Sequence, residues 1–400
     1  MKRSDEELTL IQIFKRNWLL ILGIGLVGAN LRVPLTSIGS LIPFIREDLN
    51  ITHAMAGSIT TLPLLAFAFL SPFAPKIARR FGMKMTIFLS LILIVIGITI
   101  RSPFGFLFVL VGTLFIGLGI SIGNVLIPGM IKIHFPFHVG LMTGIYAIFM
   151  NVFAAIGSGF SVPLAAIEYV GWRGSVGIWG ILAFITLLIW LPQLQQQQVY
   201  NYAVNRKKER TSLWHSVLAW NVTLFMGSQS FIYYTNITWL PDILQANGYN
   251  ASTSGWFLFL LLFVFIPFTF IIPLIVEKLP NQVYLSITIA SMFIVSYSII
   301  LFSVTTLTVL AIILIGMANG SSFGLSMMFF SLRTNDGDEA AELSGMAQSI
   351  GYLLAAIGPI IIGAIYDFTA TWIVPILLLI CMACLVMING IIAGKNRTVS

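Results

Sequence analysis

The chain has 400 residues, of which 58% are hydrophobic and only 9% charged. Soluble domains carry about 25% charged residues, so this composition excludes a soluble globular protein and points to one embedded in a bilayer. The formal net charge of +7 calls for no nucleic-acid partner, because basic residues also concentrate on the cytoplasmic side of membrane proteins.

The polar start, Met1 to Arg16, carries Lys2, Arg3, Lys15 and Arg16 and has no signal-peptide pattern, so it is expected in the cytoplasm. The first apolar stretch runs from Trp18 to Pro43 and contains Gly28-Ala29-Asn30-Leu31-Arg32-Val33-Pro34. At about 1.5 Å per residue, Arg32 lies roughly 21 Å past Trp18, far from either end. An ionised side chain there costs at least about 2.5–3.5 kcal/mol. No Asp or Glu in the other expected spans offers itself as a partner, so Arg32 reads as the one charge deep in a span and as an anchor for a solute. Arginine suits an anionic or strongly dipolar group, since its planar fork stays charged and binds two oxygens at once. Thr36 follows one turn later on the same face. Pro34 has no N–H to give the carbonyl of Asn30. In a regular helix Asn30 lies about 200° around from Arg32, so Arg32 is expected to face the cavity and Asn30 the neighbouring helices.

Apolar runs near 20 residues continue along the chain and do not alternate, which favours helices over barrel strands. Twelve spans are expected, at about 18–43, 57–75, 84–101, 104–127, 140–163, 172–191, 214–240, 255–275, 283–303, 306–330, 342–366 and 372–393. With the N-terminus inside, 17 of the 21 Lys and Arg fall on cytoplasmic segments; Arg46, Arg101 and Arg173 fall outside and Arg32 within. That bias is the positive-inside rule and supports the count. Trp18, Trp172, Trp190, Trp214, Trp239 and Trp372 sit near span ends, where interfacial aromatics belong.

Between Pro192 and Ser212 the hydropathy breaks at Gln195–Gln198 and the basic run Arg206-Lys207-Lys208-Glu209-Arg210. This reads as a cytoplasmic linker, residues 193–212, joining six-helix bundles over residues 1–192 and 213–400. The basic run is suited to anionic headgroups as well. Pro43, Gly57 and Pro75 recur 198 positions later as Pro241, Gly255 and Pro273. Thr143-Gly144 and Ala154-Ala155-Ile156-Gly157 recur 201 positions later as Ser344-Gly345 and Ala355-Ala356-Ile357-Gly358. Two parallel six-helix repeats, pseudo-symmetric and with a solute site near the midplane between them, describe a rocker-type transporter.

Motifs along nearly the whole chain carry a resemblance. They include Asn30-Leu31-Arg32 with Pro34, Arg79-Arg80-Phe81-Gly82, Gly123-Asn124-Val125-Leu126-Ile127-Pro128 and Lys132 with Phe135-Pro136. Gly140-Leu141-Met142-Thr143-Gly144 with Tyr146, Gly171-Trp172-Arg173, Trp190-Leu191-Pro192-Gln193 and Trp239-Leu240-Pro241 follow, then Ser344-Gly345-Met346-Ala347-Gln348-Ser349 with Gly351-Tyr352. Together they resemble the major facilitator superfamily in its cyanate and 2-nitroimidazole porter branch. The resemblance implies an all-α integral membrane fold and secondary transport of a small solute.

In the wider superfamily the loop after the second span reads Gly-x-x-x-Asp-Arg-x-Gly-Arg-Lys; here Pro75 replaces the Gly and Arg79 the Asp. The equivalent window of the second half holds Glu277-Lys278. A charge-swapped cytoplasmic gate is expected, with Arg79 and Arg80 meeting Asp336, Asp338, Glu339 and Glu342. Combining Arg79→Glu with Glu342→Arg should then restore transport lost in either single variant. A double variant no better than the singles removes the gate.

Further polar residues could line a cavity. Gln229, Tyr233 and Asn236 form one stripe at i, i+4 and i+7, and Gln348 pairs with Tyr352 four apart. Tyr146 and Asn151, Ser121 and Asn124, and Asn319 and Ser322 complete the set. Bonds between membrane helices explain any of them equally well. Gly117, Gly119, Gly123, Gly144, Gly157 and Gly159 read as packing surfaces, and Pro63, Pro72, Pro267 and Pro359 as bends. Cys381 and Cys384 form a CxxC with no second pair or nearby His, so neither metal nor redox cofactor is expected. No nucleophile–base pair or phosphate loop suggests an enzyme.

The expected protein is therefore a monomeric, multi-pass carrier in the cytoplasmic membrane, both termini inside, moving a small anionic or polar solute by alternating access. A multidrug or cation efflux pump of the same fold is the alternative, though Arg32 would repel a cation. A membrane ligand sensor is the alternative of another class, against which stands the lack of a soluble output domain.

Overall fold

The structure is a computed structural model that describes residues 10–51, 53–102, 105–195 and 213–399. Among them, the regular elements are sixteen α-helices and two short 3-10 turns. The chain divides into two compact units. One comprises Met1–His138 and Ile145–Arg210, the other Val139–Gly144 and Thr211–Ser400. The Gln196–Gln198 stretch and the basic linker run lie outside the described residues.

The first unit is built from α1 (Leu10–Asn30), α2 (Val33–Ser40), α3 (Ile42–Leu49), α4 (His53–Leu70), α5 (Ala74–Phe81), α6 (Met83–Arg101), α7 (Phe106–His134), most of α8 (Val139–Ala165), α9 (Gly171–Gly177) and α10 (Trp179–Gln195). Its first span is continuous in hydropathy from Lys15 to Ser40 but broken in backbone at Leu31–Arg32. Pro34 is the cause: it offers no N–H to the Asn30 carbonyl and crowds the residue before it. The Leu31 N–H is shared between the carbonyls of Val27 and Gly28, and that of Arg32 reaches Ala29. With this tightened turn the regular-helix geometry that set Asn30 and Arg32 about 200° apart does not hold across the break.

The second expected span is bent by 61° between Ser58–Leu70 and Ala74–Phe81, where Pro72 interrupts the ladder. Helix α5 buries Ala74, Pro75 and Ala78 and turns Lys76, Arg79 and Arg80 away from them. At the other end of the unit, Ile38, Leu41, Ile45, Ile59, Val109, Trp172 and Val176 form one apolar cluster. The Gly171-Trp172-Arg173 motif closes over it: Arg173 pairs with Asp48 at 2.8 Å, lies over the Trp172 ring, and the Trp172 indole donates to Asp48.

The second unit holds α11 (Val217–Ala246), α12 (Ala251–Lys278), α13 (Val283–Leu301), α14 (Thr308–Leu332), α15 (Gly337–Thr369) and α16 (Ile373–Ala393). Val139–Gly144, the first six residues of α8, belong to it. A Cβ on Gly140 would come 2.4 Å from the Pro273 carbonyl oxygen of α12, and one on Gly144 would meet the Phe270 ring at 2.8 Å. Helix α15 starts on a reciprocal cap: Asp336 accepts the Glu339 N–H at 2.8 Å, and Glu339 accepts the Asn335 N–H at 2.6 Å, two donors that a helix start otherwise leaves open.

Among the described residues, ten helices are long and apolar enough to cross a membrane, and the bent pair makes an eleventh. The remaining expected span is α11, thirty residues long and so about 45 Å. Its buried Asn221, Thr223, Gln229, Thr235 and Asn236 lower its hydropathy. Apolar side chains such as Phe69, Leu107, Phe184, Phe263 and Ile360 point outward, as a lipid-facing surface requires. Gly159, expected to pack, meets nothing within 4 Å and faces out. Gly117, Gly119, Gly123, Gly144 and Gly157 do lie against neighbouring side chains or backbone.

Candidate functional site

Arg32 stands at the N-cap of α2, in a non-helical conformation (φ −122°, ψ −42°), half-buried. A broken span is where polar backbone and a charge can be tolerated at membrane depth, provided the break lines protein or a cavity. The segment is held by close packing. A Cβ on Gly28 would come 2.9 Å from the carbonyl oxygen and ring of Tyr146, and one on Gly123 2.6 Å from Leu31. Beyond the break, Gly157 lies against Val33 and Thr36, and Ser40 meets Ser158 at 2.8 Å. Thr36 donates back to the Arg32 carbonyl at 3.3 Å.

The polar residues of this unit fall into distinct roles. Asn30 is 1% exposed and its amide donates to the Leu26 carbonyl at 2.9 Å and the Thr186 hydroxyl at 2.7 Å, tying α1 to α10. Tyr146 donates to the Asn124 side chain at 2.9 Å, so these two residues from α8 and α7 come together as a pair. Asn151 donates to Ala147 in its own helix at 2.8 Å. Ser121 meets Ser71 at 3.2 Å.

Arg101, expected as an external flanking charge, is fully buried. Its Nη1 donates to the Pro34 carbonyl at 2.8 Å, while Nε and Nη2 are buried without a hydrogen-bond partner among the described residues. Arg32 is therefore not the only cation buried in a span. Gly112 explains the burial, since any side chain there would collide with Arg101: a Cβ would lie 2.6 Å from the Arg101 Cβ.

In the second unit, the stripe of α11 is engaged at each position. Asn236 accepts from the Tyr297 hydroxyl of α13 at 2.9 Å, with its Nδ2 unpartnered among the described residues. The Gln229 amide donates to Ser230 at 2.9 Å, and Tyr233, half-buried, packs on Phe265 at 5.2 Å between ring centres. Gln348 donates to Ser344 at 2.8 Å. Tyr352 is 4% exposed. Asn319 donates to Ile315 at 3.1 Å and accepts from no described residue at Oδ1.

The residues expected to gate lie at helix ends. Arg79 and Arg80 close α5, with Arg80 over Phe81. Glu277 is exposed near the end of α12, beside Gly140. Glu342 is half-buried in the first turns of α15, whose cap occupies Asp336 and Glu339. Arg333 was not anticipated. It is 2% exposed and donates to the Gln282 side chain, to the Ala393 carbonyl at 2.6 Å and to the Gly394 carbonyl at 3.2 Å; its own carbonyl accepts the Val399 N–H. Desolvation lowers its pKa to about 10, so it is charged at neutral pH and fastens the end of the chain to α14. It stands 201 positions after Lys132, the offset of the repeat, which is the signal that could have found it.

Among the described residues no group of His, Cys, Asp or Glu is arranged to hold a metal. The arrangement offers instead hydrogen-bonding side chains within apolar helices and a cation at a helix break, features suited to holding a small polar solute.

Comparison with known proteins agrees. The profile described as Major Facilitator Superfamily matches residues 20–359. An uncharacterized transporter of Bacillus subtilis (strain 168), YycB, is 41% identical over 94% of each chain. The 2-nitroimidazole transporter of Escherichia coli (strain K12) is 39% identical over 96% of this chain and 98% of its own. In fold, the chain is similar to the proton:xylose symporter XylE, with a TM-score of 0.74, 13% identity and 97% of both chains covered. The chain belongs to the major facilitator superfamily, on the branch of the 2-nitroimidazole transporter, and is a multi-pass membrane transporter of small solutes.

Proposed function

We propose that this transporter moves a small planar anion, or a neutral solute with an anion-like group, by alternating access, and that Arg32 holds it. The observation that carries the reading is a half-buried arginine at the N-cap of a helix broken within a membrane span. The guanidinium fork presents parallel N–H groups that match two coplanar oxygens, as in a carboxylate. A nitro group has the same shape without the full charge, which accommodates the solute named for the 39% identical relative. Thr36, one turn on, is proposed to add its hydroxyl oxygen as an acceptor, since its proton is directed at the Arg32 carbonyl.

Within the unit that carries Arg32, Asn151 is proposed as an additional solute contact, and Asn124 with Tyr146 is proposed to shape the wall beside it. Asn30 acts through its bond to Thr186. The protein is proposed to work as a monomer in the cytoplasmic membrane with both termini inside.

Counterflow in proteoliposomes tests the reading, with nitroimidazoles, cyanate, small carboxylates and quaternary amines as labelled solutes. Exchange of a planar anionic or nitro compound, matched by a rise in melting temperature with the same compound, is expected. Exchange confined to the quaternary amines would instead identify a cation efflux pump. Stabilisation by a compound with no exchange of it would identify a sensor.

A further inference from the structure

We infer that Arg101 is a positioning residue for transport: it pins α2 through the Pro34 carbonyl and thereby sets where Arg32 sits. This rests on the reading of Arg32 as the solute-holding group.

Helix α2 is joined to α1 by the Leu31–Arg32 turn alone, and Pro34 removes the backbone bond that would carry α1's direction across it. The direction of α2 must then be fixed from outside. The Arg101 Nη1 supplies such a tether, from the last residue of α6 to a carbonyl two residues beyond Arg32, at 2.8 Å. The packing of α2 against Gly157 and Ser158 of α8 supports its far side.

For folding alone, arginine is a poor choice here. It is fully buried, and two of its three nitrogens have no hydrogen-bond partner among the described residues. A buried cation so sparsely satisfied is commonly replaced by an apolar side chain of similar volume without loss of stability. The position is nevertheless prepared for it, because Gly112 leaves room for the arginine's stem. What the arginine provides that an apolar residue cannot is the bond to Pro34, and that bond lands on the segment carrying Arg32.

The test places a reporter thiol at Thr36→Cys in a chain whose two cysteines, Cys381 and Cys384, are changed to Ala. The rate of modification by an anionic sulfonate methanethiosulfonate is divided by that for its trimethylammonium counterpart. A guanidinium held one turn away raises this ratio by about tenfold. Arg32→Ala should abolish the rise. Arg101→Met should lower the ratio nearly as far, with no drop in melting temperature, and Arg101→Lys, which can still reach Pro34, should restore it. On the Arg32→Ala background, Arg101→Met should change nothing more. A ratio untouched by Arg101→Met overturns the inference. So does a further fall on the Arg32→Ala background, which would show Arg101 acting through its own charge. A ratio insensitive to Arg32→Ala overturns the reading of Arg32, and this inference with it.

Discussion

Arg32→Ala is expected to slow solute exchange in proteoliposomes by about a hundredfold while leaving the melting temperature within a few degrees of wild type. A charge-assisted, two-point contact contributes roughly 3 kcal/mol, and each 1.4 kcal/mol is a factor of ten. Arg32→Lys keeps the charge and loses the fork, so a loss of about tenfold is expected. Stability should barely respond because the break at Leu31–Arg32 is set by Pro34 and by the packing of Gly28 on Tyr146 and Leu31 on Gly123. Removing a charge from a membrane span also lifts a penalty. Exchange by Arg32→Ala at the wild-type rate would remove Arg32 from the site; a collapse in stability would make it a structural residue.

The helices were legible in the sequence because apolar runs near 20 residues admit few other spanning structures. All twelve expected segments are helical among the described residues, including α11, whose buried polar side chains set it apart from the apolar ten. The break was half legible. Pro34 announces that a carbonyl loses its donor, but whether a helix kinks gently or stops for two residues depends on what packs around it. Here Gly28, Gly123 and Gly157 let α7 and α8 come close enough to hold the stopped form.

Arg101 shows why the rest was hidden. A charge that ends an apolar run, followed by Ser102-Pro103, looks like a flank in water, and the positive-inside count treats it so. Its burial depends on a glycine in the next helix. The available signal was Gly97, four residues earlier and so on the same face as Arg101; a small residue aligned with a charge marks a face pressed against a neighbour. The polar stripe of α11 shows a related limit. Spacing places Gln229, Tyr233 and Asn236 along one side of a helix, but Asn236 is met there by Tyr297, 61 residues further on. Periodicity identifies a face and leaves open what that face meets.

Gly112→Ala is expected to be among the most damaging small substitutions in the protein. Glycine to alanine inside a helix ordinarily stabilises by about 0.5–1 kcal/mol, through lower chain entropy. At Gly112 the added carbon would lie 2.5 Å from the Gly97 carbonyl oxygen, 2.6 Å from the Arg101 Cβ and 2.8 Å from the Arg101 N. The first and last of these are backbone atoms and cannot swing aside, so α6 and α7 must separate. Overpacking of this kind costs about 3 kcal/mol, which corresponds to a fall of roughly 5–10 °C in melting temperature, read by intrinsic fluorescence in detergent. Gly159→Ala is the control: its Cβ would meet nothing within 4 Å, so its melting temperature should equal or slightly exceed wild type. Gly97→Ala should match Gly112→Ala, because its carbon would lie 2.6 Å from the Gly112 carbonyl oxygen. The double variant should lose less than the two losses added, since one separation of the helices relieves both collisions. Strict additivity, or a Gly112→Ala protein that melts with the wild type, would mean that these two helices are not in backbone contact and that Arg101 is not held where its bond to Pro34 requires.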